Sequence, residues 1–180
     1  MRHKLSDSFK RVSLFPFVLK DCEAMRLLRN RNKHCFVFNG EIDQESQAKW
    51  YQKYTNNQSE VMFSIYSNQS ASWIGAVALY DINESTHESE FGRLLIDREK
   101  SLAYGLGVDA TLCACKIGFE QLNLKKIKLE VFCENIAAIK TYERAGFQVT
   151  GTCVLQDGRK MFLMELLKSS ALYILNTKVE

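Results

Sequence analysis

The chain has 180 residues, 46% hydrophobic and 25% charged, with a net charge of +3. That size and balance predict one domain over residues 1–180 with a core that needs no cross-links, and the mild positive charge excludes the dense basic stripe of a dedicated nucleic-acid binder. No apolar run nears the roughly 20 residues that span a bilayer, and "LFPFVL" is too short and wrongly flanked for a signal peptide, so no membrane partner is expected and the chain is placed in the cytoplasm.

In chain order, a short apolar strand around Pro16 comes first. Asp21 is placed to cap a helix through about Arg31, and Asp43 a second through about Tyr54 that carries Trp50 and Tyr51. Three β-rich segments follow at 61–67, 72–80 and 89–96, separated by polar punctuation, and predict an antiparallel meander. After Gly107, the spacing of Val108, Leu112, Cys115, Phe119 and Leu122 predicts a helix with one apolar stripe. "KIKLEVF" (126–132) alternates as a strand does. Asn135 then caps a short helix that Gly146 stops, and strands near 147–156 and 160–167 flank an Asp157-Gly158 turn. The tail 169–180 extends the last strand, contacts a second subunit in a homodimer, or frays; the sequence leaves these open.

The six cysteines have neither zinc spacing nor neighbouring histidines, since His3, His34 and His87 are scattered. They predict reduced thiols, and no metal is expected. The stretch "LAYGLGVDA" (102–110) places Gly105 and Gly107 at the start of a helix, where unpaired N–H groups and the positive end of the dipole suit a pyrophosphate. It is not a P-loop, because Asp109 and Ala110 stand where Lys and Ser/Thr belong. Nor is it a dinucleotide fingerprint, because the third glycine is missing.

"RLLI…LAYGLG" followed by "LEVFCENIAAIKTYERAGF" resembles the acetyl-CoA core of the GNAT superfamily of N-acetyltransferases, in order over roughly residues 60–167. Asn135, Ala138, Tyr142, Glu143, Gly146 and Phe147 form its most specific part. The resemblance implies an α/β (α+β) GNAT fold: a mixed, mostly antiparallel sheet of six to seven strands, splayed at its centre and flanked by about four helices. It implies acetyl-CoA as co-substrate, with Leu94, Leu95 and Ile96 pairing with the pantetheine arm and Leu102, Ala103, Tyr104, Gly105, Leu106 and Gly107 cradling the diphosphate. Asn135 and Ala138 would contact the arm, and Tyr142 would protonate the departing thiolate, a role suited to a group whose reference pKa is near 10. The family's loop usually begins with Arg or Gln where Leu102 stands, and Lys100 or Arg98 is the expected substitute.

The resemblance implies an amine acceptor, expected to be a small molecule, that must lose a proton before it attacks. Glu90 is the candidate base, with Glu88 in reserve and His34 and His87 as further alternatives. "RLLRNRNKH" and "WYQKY" resemble the opening of a GNAT subgroup that acetylates ribosomal-protein N-termini or nucleotide-linked amino sugars. The expected acceptor is the nucleotide-linked sugar, with Arg29, Asn30 and Arg31 on its phosphates and Trp50 or Tyr51 on its rings. A protein N-terminus would call for an acidic groove, which this basic cluster does not offer. A non-catalytic acetyl-CoA-binding module and an unrelated nucleotide binder are the alternatives to an enzyme.

Overall fold

The structure, a computed structural model, describes residues 3–101 and 103–177. Strands β1 (Asp7–Phe9) and β2 (Val12–Pro16) form a hairpin, followed by helices α1 (Cys22–Arg31) and α2 (Gln44–Asn56). Next come β3 (Val61–Ser67), β4 (Trp73–Asn83), β5 (Glu88–Ile96), α3 (Leu106–Glu120), β6 (Lys126–Phe132), α4 (Ile136–Arg144), β7 (Gln148–Val154), β8 (Lys160–Leu167) and α5 (Lys168–Thr177). The sheet runs β1-β2-β3-β4-β5-β6-β8-β7, and every neighbouring pair is antiparallel except β5–β6. A parallel neighbour needs a long crossover, which α3 provides.

The described residues thus hold eight strands and five α-helices, where the sequence predicts six to seven and about four. Two short signals account for the difference. The three residues of β1 are too few for alternation to register. The tail is helical, with Ala171 and Leu175, four apart, buried in the same core as α3.

One core lies between the sheet and α3, α4 and α5. It joins Phe63, Ile65, Leu79 and Phe91 to Leu112, Ile117 and Phe119 of α3, and burying each such side chain contributes about 1.5–3 kcal/mol. A second core, under α1 and α2, joins Phe17, Met25, Leu28 and Tyr54 to Met62, Ala76 and Leu95. Because both faces are covered, β3 is buried at nearly every position rather than at alternate ones. Helix α3 departs from its predicted single stripe: eleven of its fifteen residues are buried, because it crosses the sheet with α4 and α5 alongside.

The caps differ from one another. Asp43 accepts the N–H of Ser46 at 2.7 Å and starts α2 as predicted. Asp21 occupies the same position before α1 but makes no cap bond. Its carboxylate instead accepts the Ser64 hydroxyl at 2.6 Å and the Val18 N–H at 3.3 Å, tying the turn to β3. All six cysteines are free thiols; Cys22, Cys113 and Cys115 are buried and the other three half-buried. Burial pushes the Cys22 thiol up to about 11 and that of Cys113 up to about 12. Among the described residues, no helix is long and apolar enough to cross a membrane, and no three His, Cys, Asp or Glu side chains converge as a metal would need.

Candidate active site

Strands β5 and β6 pair only at Glu88–Lys126, Ser89–Ile127 and Glu90–Lys128, and then they part. Arg93 at φ 53 marks a bulge where β5 shifts register against β4, so the strand bends away from β6 along Leu94, Leu95 and Ile96. The fork opens a cleft of about 780 Å³, lined by those three residues on one side and by Glu130, Val131 and Phe132 of β6 on the other. Beyond Glu90, the β6-facing edge of β5 has no partner strand, so its backbone donors and acceptors are available to a ligand.

Ala103, Tyr104, Gly105, Leu106 and Gly107 line the same cleft; Leu102 lies outside the described residues. Gly105 is the N-cap of α3 at φ 83, a left-handed conformation that glycine takes without strain. In the turn that follows, the N–H groups of Val108 and Asp109 donate to the Gly105 carbonyl at 3.0 and 3.3 Å, while those of Leu106 and Gly107 lie before the helical ladder, which fits an anionic group. Asp109, buried in that first turn, is ion-paired at 2.6 Å to Arg11 from the β1–β2 turn. Arg11 also donates to the Tyr104 carbonyl at 2.7 Å. Of the two expected substitutes for the missing loop arginine, Arg98 lines the cleft, while Lys100 lies 5.5 Å over the Trp73 ring and 3.9 Å from Asp97.

Asn135, Ala138 and Tyr142 reach the cleft from α4. Asn135 caps the helix by accepting the Ala138 N–H at 3.2 Å, which occupies its carbonyl oxygen and leaves its amide nitrogen to donate. Tyr142 is 9% exposed, packed edge-on to Phe91 at 5.7 Å and tilted to Phe147 at 6.1 Å. Burial raises its pKa well above that of an ordinary phenol, so the hydroxyl stays protonated. It is therefore both a core aromatic and a cleft residue.

Glu90 sits just before the fork, opposite Tyr80 of β4 and Lys128 of β6. Burial raises its pKa, and the nearby charges of Glu130 and Asp81 add to the rise, while the neighbouring Tyr80 hydroxyl and the Lys128 charge oppose it. Tyr80 and Glu130 line the cleft; Glu90, directly across from Tyr80, is not among the residues that line it. Glu88 is differently placed. It is ion-paired to Lys126 at 2.9 Å and Lys128 at 2.5 Å, which hold its carboxyl below the usual range. His34 is exposed, and the His87 ring lies 3.2 Å from the Asn123 carbonyl; neither lines the cleft.

Arg29, Asn30, Arg31, Trp50 and Tyr51 are not brought to the cleft. Arg29 is buried, donates to the Phe38 carbonyl and, at 3.4 Å, to that of Gly40, and lies 4.4 Å from the Phe36 ring. Asn30 exchanges two hydrogen bonds with the backbone of Ile42, at 2.8 and 2.9 Å. Both thereby hold the 36–42 loop, whose Phe36 and Val37 do line the cleft. Arg31 pairs with Asp97 and Glu99, each at 3.2 Å. Trp50 stacks on Tyr54 at 5.5 Å, and Tyr51 lies beside the same ring at 6.0 Å. Asp81, Glu90 and Glu130 come near one another from three neighbouring strands, a cluster that no local sequence pattern joins. Sequence reading also misses Arg11 and Tyr80, whose partners come from other elements.

Residues 11–148 match the acetyltransferase (GNAT) domain model. Spermidine N(1)-acetyltransferase of Escherichia coli (strain K12) is 36% identical over 101 residues, 56% of this chain and 52% of that enzyme. The chain thus spans about half the length of this relative. The Vibrio cholerae spermidine N(1)-acetyltransferase is 30% identical over 150 residues, 77% of this chain and 84% of that enzyme. The crystal structure of V. cholerae spermidine N-acetyltransferase with CoA and spermine superposes with a TM-score of 0.79 at 26% identity, covering 90% of this chain and 98% of that one. Apo FdhC, a nucleotide-linked sugar GNAT, gives 0.78 at 23% identity over 95% and 94% of the two chains, which shows the fold alone. With the domain model matching more than half of this chain and the expected fork in place, this chain belongs to the GNAT acetyltransferase family.

Proposed function

We propose that this protein is an acetyl-CoA-dependent N-acetyltransferase whose acceptor is a polyamine. The observation that carries the reading is the fork between β5 and β6, which joins in one cleft a glycine-capped helix start, a free strand edge, a protonated tyrosine and Glu130, whose charge lies near those of Glu90 and Asp81.

Acetyl-CoA supplies an acyl group activated as a thioester. The Ala103–Gly107 backbone holds the diphosphate at the positive end of α3. Leu94, Leu95 and Ile96 pair with the pantetheine arm, and a backbone N–H there donates to the thioester oxygen as negative charge develops on it. Asn135 donates its amide N–H to the arm, and Ala138 packs beside it. Glu90 takes the proton of the acceptor amine, directly or through a water, and its raised pKa brings it nearer the working range of a general base. The amine nitrogen bonds to the acyl carbon, the carbon–sulfur bond breaks, and Tyr142 gives its proton to the departing thiolate. Solvent then takes up the proton held by Glu90 and restores that of Tyr142.

The acidic cluster supports a polyamine over the nucleotide-linked sugar. Glu130 and Asp81 add negative charge beside Glu90, which favours the remaining ammonium groups of a polycation and disfavours a sugar diphosphate. The spermidine acetyltransferase relatives point the same way. Arg29, Asn30 and Arg31 act on the acceptor side through the 36–42 loop and the 97–99 turn, and Trp50 and Tyr51 through the packing beneath them.

Thiol release from acetyl-CoA, measured with spermidine, spermine, a nucleotide-linked amino sugar and an N-terminal peptide, tests this. The polyamines should give the highest kcat/KM. A higher value for the sugar or the peptide overturns the acceptor class. Coenzyme binding without thiol release from any amine would reassign the protein as a non-catalytic binding module.

A further inference from the structure

We propose that Arg11 is a positioning residue for the diphosphate loop, reaching it from the opposite end of the chain; the proposal rests on the acetyl-CoA reading above. Arg11 stands in the β1–β2 turn, directly after Lys10 at φ 51. Its Nη1 donates to the Tyr104 carbonyl at 2.7 Å, and its Nε donates to Asp109 Oδ2 at 2.6 Å. Its Nη2 lies 3.1 Å from the point a Cβ on Gly105 would occupy. One guanidinium thus spans the loop, the N-cap and the first turn of α3.

Two consequences follow for an anion at that turn. A trans peptide points its C=O and the next N–H in opposite directions, so holding the Tyr104 carbonyl toward Arg11 turns the Gly105 N–H away from it. The Gly105 donor is thereby aimed before any ligand arrives. Asp109 is the second matter: its buried carboxylate lies within one turn of the place where a diphosphate must sit. Uncompensated, that charge would repel the phosphates. Arg11 offsets it through a charge-assisted bond and leaves the helix start favourable to an anion. Arg11 is 48% exposed, so the fold does not require it as a core element.

The test compares acetyl-CoA with S-acetylpantetheine, which has the thioester arm but no diphosphate. For Arg11→Gln, the acetyl-CoA KM rises about tenfold, the scale of one charge-assisted hydrogen bond, while kcat stays within about twofold. The ratio of kcat/KM for acetyl-CoA to that for S-acetylpantetheine falls by about the same factor. Arg11→Lys keeps the charge but cannot span Tyr104 and Asp109 together. It gives an intermediate fall, and it serves if Arg11→Gln does not fold. Adding Asp109→Asn to Arg11→Gln recovers part of the lost affinity by removing the opposing charge. An unchanged donor ratio in the folded variants overturns the proposal, because a merely structural ion pair would affect both donors alike. Equilibrium binding of CoA to the unsubstituted protein is read first: its absence overturns the acetyl-CoA reading and this proposal together, whereas its presence with an unchanged ratio overturns this proposal alone.

Discussion

Tyr80 on β4 stands directly across from Glu90 on β5, and its nearby hydroxyl favours the charged form of the Glu90 carboxyl. Burial and the charges of Glu130 and Asp81 favour the neutral form. The balance leaves the carboxyl above its ordinary range, and a general base works only when deprotonated. The acid limb of kcat/KM is therefore expected at a higher pH than an ordinary glutamate would give. Glu130→Gln removes a charge that raises the Glu90 pKa, so the limb moves to lower pH. Tyr80→Phe removes a hydroxyl that lowers it, so the limb moves to higher pH. Glu90→Gln abolishes the limb and costs about a hundredfold or more in kcat. Shifts of the same sign in Glu130→Gln and Tyr80→Phe would remove Glu90 as the group that titrates.

Tyr142→Phe keeps the aromatic packing against Phe91 and Phe147 and removes only the hydroxyl proposed as the proton donor. We expect kcat to fall about tenfold or more with acetyl-CoA binding nearly unchanged. Because burial raises its pKa well above the usual value, Tyr142 should contribute no alkaline limb below pH values near the ordinary phenol range. A variant that turns over as fast as the native protein takes Tyr142 out of the mechanism.

Legibility in the sequence tracks how local each signal is. The bounds of β6 match their prediction because Ile127, Leu129 and Val131 alternate with Lys126, Lys128 and Glu130 on a strand with two distinct faces. Gly105 and Asn135 are found because a helix start needs a particular residue at one position. Tyr142 is visible only through a family motif; nothing in its own spacing separates a donor from a core ring. Arg11 and Asp109 lie 98 positions apart and meet only because β2 packs under α3. Asp81, Glu90 and Glu130 are equally hidden, since their meeting depends on the register of three strands and on the irregularity in β4 between Tyr80 and Asn83. The partners of the basic run at Arg29–Arg31 are hidden for a related reason: the Phe38 and Gly40 carbonyls and the Asp97 and Glu99 carboxylates come from elsewhere in the chain.

Gly105→Ala tests the loop from the backbone side. At φ 83 an alanine is strained by about 1 kcal/mol or more, and its Cβ would lie 3.1 Å from Arg11 Nη2. The melting temperature should fall by about 2–4 °C for each kcal/mol in a chain of this size. The KM for acetyl-CoA should rise as well, because the strain and the displaced guanidinium both act on the diphosphate turn. An unchanged KM alongside a lowered melting temperature would mean that the turn does not hold the diphosphate.

Arg29 tests the proposal that the basic segment acts on the acceptor side through the loop it braces. If it works by bridging the Phe38 and Gly40 carbonyls, Arg29→Ala leaves those acceptors without their donor and frees a loop whose Phe36 and Val37 line the cleft. Stability should fall by about 1–3 kcal/mol, and the acceptor KM should rise more than that of acetyl-CoA. Arg29→Lys should not fully restore either property, because an ammonium offers its donors from one point, whereas the planar guanidinium bonds the two carbonyls from separate nitrogens while lying over the Phe36 ring. Were lysine to recover acceptor binding in full, positive charge alone would be the requirement, and direct contact with an anionic acceptor would replace the bracing of the loop as the role of Arg29.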